Sequence, residues 1–280
     1  MSDRVEVAGP RETERAPAAS AAALRKWQEN ARADQAVIAR HHQVWNNKPV
    51  LERVYAVWFD ALLACLPPGT KVLEVGAGPG FLSDHARRTR RDLRWIATDL
   101  LWNTSNDVVA DALRLPLRDG TVQAVVCFDV LHHLVRPAAF FKETARVLAS
   151  GGRLVMIEPW ITPFSYAVYR WAHHETCDRN VDPWAPFAAD DSGGKEAFEG
   201  NSAVSWKIVR STTARDWEQL GLESPQVRVF NGFAYLLSLG FYRPSLLPPA
   251  LTDPLLRLDR GLQGTASLVG IRALLSWTRS

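Results

Sequence analysis

The stretch Lys71-Val-Leu-Glu-Val-Gly-Ala-Gly-Pro-Gly80 sets one acid, Glu74, two residues before three alternating glycines, Gly76, Gly78 and Gly80. Glycines at that spacing permit a tight turn, positive φ and close approach of a ligand to bare backbone. Val72, Leu73 and Val75 ahead of them are apolar and partly β-branched, which reads as a short buried strand. Phe81 to Arg90 reads as the following helix. A strand that runs through such a turn into a helix N-terminus is a nucleotide-binding edge. Two further acids fit a nucleoside there. Asp99 ends the strand-like run Leu93–Leu100, about 20 residues beyond the turn, where a carboxylate can accept from both ribose hydroxyls. Asp111 ends the short run Val108–Ala112 and would sit beside an adenine, accepting from its exocyclic amine. The plainer alternatives are a helix cap or solvated strand end for Asp99 and a turn residue for Asp111.

The spacing narrows the ligand. A dinucleotide fingerprint, G-x-G-x-x-G, needs its third glycine at position 81, which is Phe81. Strand-Glu-x-Gly-x-Gly-x-Gly instead resembles motif I of the class I S-adenosylmethionine (SAM) methyltransferases.

Histidine pairs are the other chemistry-bearing feature: His41-His42, His132-His133 and His173-His174. Neighbouring histidines on a regular element point apart, so no metal site is expected from them. His132 or His133 follows the fourth strand, close to where a reacting group would bind, and His173, His174 and Glu175 lie in a region read as a cap. Of these, His133, His174 and Glu175 are the candidate bases. The alternative for the histidine after the fourth strand is a structural ring bonded to backbone.

The elements that must position these groups follow in order. Residues 1 to about 20 are polar and Ala/Pro-rich, a disordered tail. Helices are expected over Ala21–Asn46 and Pro49–Leu66, the second stopped by Pro67-Pro68-Gly69. They precede the nucleotide strand and could form a lid. After the second and third strands come a fourth, Val122–Asp129, and a helix opened by Pro137 and ended by Gly151-Gly152. Arg153–Glu158 is the fifth strand. Strands alternating with helices imply a doubly wound, mostly parallel sheet. From Pro159 to about Leu222 that rhythm breaks, which suits a cap inserted after the fifth strand. Gln226–Phe230 reads as a sixth strand, Phe233–Gly240 and Pro254–Leu262 as helices, and Ala266–Trp277 as the last strand.

The chain has 280 residues, 47% of them hydrophobic, and a net charge of +3, too mild to argue for nucleic acid. Its three cysteines, Cys65, Cys127 and Cys177, have no zinc spacing and fit a reducing cytoplasm. No secretory signal is read at the N-terminus, and no apolar run approaches the roughly 18 residues a spanning helix needs. Peripheral membrane contact stays open. Some of the eleven tryptophans could line an apolar substrate site.

Four signals occur in order between about Lys71 and Pro159. They are the glycine stretch, Asp99, Asp111-Ala112 with its Leu-Pro-Leu loop, and Leu131-His-His-Leu134 followed by Arg146-Val-Leu-Ala-Ser-Gly-Gly-Arg-Leu154. Together they resemble the small-molecule (type 11) branch of class I SAM methyltransferases over about a third of the chain. The resemblance implies a Rossmann-like α/β fold with seven strands, the seventh antiparallel between the fifth and sixth. It implies SAM as cofactor, with Glu74 near the methionine amino group or ordering the turn. Gly76, Ala77, Gly78 and Gly80 would form the approach to the cofactor. Asp99 would hold the ribose, Leu100 would lie against the adenine, Asp111 and Ala112 would meet the adenine edge, and Phe128 would lie below the transferred methyl. Trp45 and the Val54-Tyr55 region would touch the cofactor from above. Phe81 is expected to be packed at its helix start.

The expected organisation is therefore a tail (1–20) and a single methyltransferase domain (21–280). That domain comprises N-terminal helices (21–66), a SAM-binding core (67–159), a cap (160–222) and the last strands (223–280). The expected reaction is in-line transfer of a methyl group to a small or lipid-like acceptor, at oxygen, with the protein aligning the partners. Two other readings stay open: a SAM-binding regulatory protein without turnover, and an NAD-dependent oxidoreductase, which Phe81 disfavours. The oligomeric state is not read from the sequence.

Overall fold

The computed structural model describes residues 21–171, 175–187 and 199–280. The segment read as a disordered tail and the candidate base His174 lie outside them. Two helices lead the described chain, α1 (Ala21–Asn47) and α2 (Pro49–Leu63). Pro49 opens α2, where its missing N–H costs nothing. Leu51, Tyr55, Trp58 and Leu62 recur at helical spacing and are buried against the sheet. The helix stops three residues before its expected end at Leu66. Cys65 N–H and Leu66 N–H bond to the carbonyls three residues back, Leu62 and Leu63, so the last turn tightens ahead of Pro67.

Seven strands form one sheet: β1 (Lys71–Val75), β2 (Arg94–Asp99), β3 (Val108–Val109), β4 (Val122–Phe128), β5 (Leu148–Pro159), β6 (Gln226–Phe230) and β7 (Arg272–Thr278). Their order is β3-β2-β1-β4-β5-β7-β6. The first five are parallel, and β7 runs antiparallel to both β5 and β6. This is the doubly wound, mostly parallel arrangement expected from the alternation of elements. The central strands are buried on both faces, which explains why β1, β4 and β5 read as continuous apolar runs rather than alternating ones. The order reverses between β1 and β4, and a ligand crevice opens at the carboxyl ends of strands at such a point.

Helices cover both faces. On one lie α2, α3 (Phe81–Thr89), α8 (Phe233–Ser238) and α9 (Thr252–Gly261). On the other lie α4 (Pro137–Val147), α6 (Val204–Ser211) and α7 (Ala214–Gln219), while α5 (Pro163–Trp171) directly follows β5. Trp217 of α7, Trp277 of β7 and Phe141 of α4 meet with ring centroids 5.1–5.4 Å apart. The end of the 160–222 segment thus packs on the sheet, and these two tryptophans belong to the core.

Other boundaries also differ from expectation. The third strand ends at Val109, because the Asp111 carboxylate accepts from Leu113 N–H at 2.8 Å and turns the chain. The helix opened by Pro137 ends at Val147, and Leu148 already pairs with Val122. Ala266–Val269 is a helical turn (α10), so the last strand starts only at Arg272. Among the described residues no helix is long and apolar enough to cross a membrane.

Candidate functional site

The glycine bend follows β1. Gly76, Gly78 and Gly80 all have positive φ, of 71°, 50° and 80°. Ala77 N–H bonds to Thr98 O at 2.9 Å, which ties the bend to the end of β2. A Cβ on Gly76 would lie 2.6 Å from Val130, so the chain after β4 presses against the bend there. A Cβ on Gly78 would meet nothing within 4 Å. It would project into open space, and that bare backbone is the floor of the cleft.

Asp99 is bound to this floor. Its Oδ2 accepts from Gly78 N–H at 2.7 Å and its Oδ1 from Leu101 N–H at 2.9 Å. Burial pushes the carboxyl up, and the backbone N–H groups oppose that shift. Each oxygen retains a lone pair for a further donor. Asp111 likewise holds its own turn while lining the cleft. Both acids therefore have a structural role and also line the cleft.

The cleft has two lobes that share Gly76, Gly78, Asp129 and His133. The larger, about 790 Å³, is walled by Asp99, Leu100, Asp111, Ala112 and Leu113, with Trp184 and Phe187 opposite. The smaller, about 180 Å³, is walled by Tyr55, Glu74, Phe128, Tyr169, Tyr235 and Arg272. A flat nucleoside with hydroxyls suits the first lobe. The second offers a buried acid, aromatic faces and a cation.

Glu74 reaches that second lobe from β1. It is buried and accepts from Trp95 Nε1 at 2.8 Å. Burial pushes its carboxyl up to about 8, with the Trp95 bond opposing. A buried acid of this kind is held ready for a cationic group. Phe128 ends β4 and packs on Tyr55 and Phe59, at centroid separations of 5.5 and 5.1 Å. Trp45 is stacked flat on Phe81 at 4.0 Å and meets Tyr55 edge-on, while Val54 lies in the core. Phe81 and Tyr55 border the smaller lobe, whereas Trp45 backs them.

Several residues of this lobe were not singled out in the sequence. Asp129 has a φ of 56°, a costly conformation for a residue with a Cβ. It is ion-paired with the buried Arg272. The Arg272 guanidinium also lies over Trp58, Phe128 and Tyr235, at 4.8, 5.3 and 5.4 Å. The available signal was an arginine opening the otherwise apolar run Arg272-Ala-Leu-Leu.

Beyond β4 the chain makes a single 3₁₀ turn, Leu131–His133. Here the expectation that neighbouring histidines point apart fails, because the tighter turn brings the rings together with centroids 4.0 Å apart. His132 Nδ1 lies 2.6 Å from Glu158 Oε2. Glu158 Oε1 accepts from Val130 and Leu131 N–H, both at 2.8 Å, and Ser205 Oγ donates to Oε2 at 3.0 Å. Burial opposes charge on His132, but the Glu158 and Glu175 carboxylates outweigh it and push the ring up to about 10. His132 is thus held by a side chain, while His133 has the backbone bond of the alternative reading. His133 Nδ1 donates to Glu199 O at 2.8 Å, and its Nε2 faces Glu175 Oε1 at 3.9 Å. Two of the three candidate bases, His133 and Glu175, therefore meet on the wall of the smaller lobe. Gly200 makes room for this cluster, since a Cβ there would lie 2.8 Å from the His132 ring and 2.9 Å from His133.

Residues 73–156 match the family described as "Methyltransferase domain". Among curated proteins, an uncharacterized 37.1 kDa protein of a Streptomyces fradiae transposon is 35% identical over 37% of this chain and 34% of its own length. A ubiquinone/menaquinone biosynthesis C-methyltransferase of a Ruegeria species is 27% identical over 38% of this chain and 49% of its own. A demethylmenaquinone methyltransferase of Corynebacterium urealyticum is 29% identical over 57% and 72%. The chain spans half the length or less of the first two. Among solved structures, a Haloferax volcanii methyltransferase, described in complex with the Trm112 activator, superposes with a TM-score of 0.50 at 14% identity, over 88% of this chain and 96% of that one. That likeness concerns the fold. Residues 73–156 thus match a methyltransferase domain, and the strand order and glycine bend around them have the form that the class I SAM-dependent resemblance implies.

Proposed function

We propose that this protein transfers a methyl group from SAM to oxygen of a small or lipid-like acceptor. The observation that carries the reading is the two-lobed cleft, whose halves meet over the bare backbone of Gly76–Gly78. SAM, when bound, supplies an already activated methyl group. The residues supply binding, alignment and exclusion of water. Asp99 accepts from the ribose hydroxyls with its remaining lone pairs, and Asp111 and Ala112 border the adenine, with Leu100 against its face. Ala77 and Gly80 hold the bend in shape. Glu74, buried beside Trp95, takes the ammonium of the methionine arm, and Phe128 lies under the reacting carbon.

The acceptor enters the smaller lobe, where the tyrosines and Phe128 favour an apolar or aromatic body. An oxygen acceptor must lose a proton, and the cluster containing His133 and Glu175 is where it leaves. Because His133 Nδ1 faces a carbonyl, its proton sits there, and Nε2 carries the lone pair of the neutral ring.

The test is incubation with isotopically labelled SAM and a metabolite and lipid extract, followed by mass spectrometry of the labelled product. A product labelled at oxygen is expected. SAM binding without a labelled product in any fraction would favour a regulatory role. Tight NAD binding with indifference to SAM would reverse the assignment.

A further inference from the structure

The turn at Leu131–His133 does more than bring two rings together. Both Nδ1 atoms are engaged from behind, by Glu158 Oε2 at 2.6 Å and by Glu199 O at 2.8 Å. Acceptors at Nδ1 place the proton there in the neutral ring and give Nε2 the lone pair. Both Nε2 atoms face one carboxylate. His132 Nε2 is 3.4 Å from Glu175 Oε2, and His133 Nε2 is 3.9 Å from Glu175 Oε1. A charge-assisted hydrogen bond would draw such a pair to about 2.7–2.9 Å. Two ligand atoms sharing one ion at bonds of about 2.0–2.1 Å stand farther apart, close to the separation His132 shows. One ligand atom from each of the three residues lies within 4.8 Å of the others, and no other such group occurs among the described residues.

We propose that His132 Nε2, His133 Nε2 and the Glu175 carboxylate form a binding site for a divalent transition-metal ion. Glu158 and the Glu199 carbonyl are the outer partners that fix the rings, an arrangement typical of metal-bound histidines. The buried Glu158 and the largely buried Glu175 flank His132, so the site calls for positive charge, which a divalent ion would supply in place of the second proton on the His132 ring. Two imidazoles and one carboxylate suit Zn²⁺, Mn²⁺, Fe²⁺ or Co²⁺. Mg²⁺ and Ca²⁺ prefer oxygen donors throughout.

Three protein ligands leave at least one position open, and all three residues line the smaller lobe. That position would admit an acceptor hydroxyl oxygen. The ion would lower the pKa of that hydroxyl, its proton would pass to water, and the oxygen would take the methyl as the sulfur leaves with the C–S electron pair. This last step rests on the methyl-transfer reading, whereas metal binding stands without it.

The full chain, stripped with a chelator, would be dialysed against Zn²⁺ or Mg²⁺ and the retained metal counted by mass spectrometry. One Zn²⁺ per chain is expected, with no retained Mg²⁺. A His85→Gln control should keep it, since that ring bonds to Asp60 outside the cleft. Glu175→Gln and His133→Ala should each weaken Zn²⁺ binding by about 100-fold, with circular dichroism reporting that they fold. The Co²⁺-loaded wild type gives a readout that needs no variant: weak visible bands without a thiolate charge-transfer band are expected. Less than stoichiometric Zn²⁺, binding that survives both substitutions, or a thiolate band would overturn the site. Titration of the same wild-type samples with S-adenosylhomocysteine separates the two ideas. Zn²⁺ binding without affinity for that ligand would sink the methyl-transfer reading and leave the metal site standing.

Discussion

The larger lobe of the cleft takes much of its wall from two short stretches, Asp99–Leu113 and Asp129–Arg136, whereas the smaller lobe gathers side chains from α2, the tip of β4, α5, α8 and β7. In the larger lobe the candidate groups are bare backbone and two acids, Asp99 at the end of β2 and Asp111 in the turn after β3. In the smaller one they are large side chains that hold one another: Arg272 under three aromatic rings and against Asp129, and Glu74 against Trp95. The first lobe is shaped by conformation, the second by packing. Substitutions in the first should therefore act on binding, and substitutions in the second on stability.

The largest effect should come from Gly78→Val. Its φ of 50° resists a β-branched residue, and the side chain would fill the floor of the cleft. Calorimetry should find no measurable binding of S-adenosylhomocysteine, and near-normal affinity would break the comparison on its first side. Next is Arg272→Met, which leaves Asp129 without its partner in a largely buried site. The expected loss is about 3–5 kcal/mol of unfolding free energy in urea. A variant as stable as the wild type would break the second side.

Asp99→Ala should weaken S-adenosylhomocysteine by about 1.5–3 kcal/mol through lost charged hydrogen bonds, part of it by releasing Gly78 N–H. The urea midpoint should move much less than in Arg272→Met. The last prediction sharpens the comparison through pH, where the effect is read as a slope. The Glu74 carboxyl is raised to about 8 in the fold, above the ordinary range near 4.3 that it has unfolded. Its contribution to stability is thus complete below the unfolded value and is lost as pH rises to about 8. Between those limits the native state binds more protons, so stability falls with pH, by on the order of 1 kcal/mol per unit. Glu74→Gln should flatten this slope in urea melts between pH 5 and pH 8. An unchanged slope would place the titration elsewhere.

The same contrast decides what the sequence could reveal. Gly76–Gly78, Asp99 and Asp111 are legible because each acts through local backbone, with its meaning fixed by a strand end or a turn. The doubly wound, mostly parallel sheet was legible from the alternation of elements, and the place of the reversed β7 only from the family pattern. Arg272 and Asp129 were not, because they lie 143 positions apart in the sequence. The two histidines misled for a similar reason. On a regular element their rings would diverge, and only the 3₁₀ geometry at Leu131–His133 joins them. Glu175 reaches them from beyond β5, through a contact that no local spacing encodes.

The central claim is that one adenosyl ligand straddles the glycine bend, its nucleoside in the larger lobe and its amino-acid arm in the smaller. A crystal structure with S-adenosylhomocysteine tests it most directly. The account expects ribose density beside Asp99, sulfur above Gly76–Gly78, and the ammonium beside Glu74. Density that avoids the bend, or a bend closed against the ligand, would contradict it.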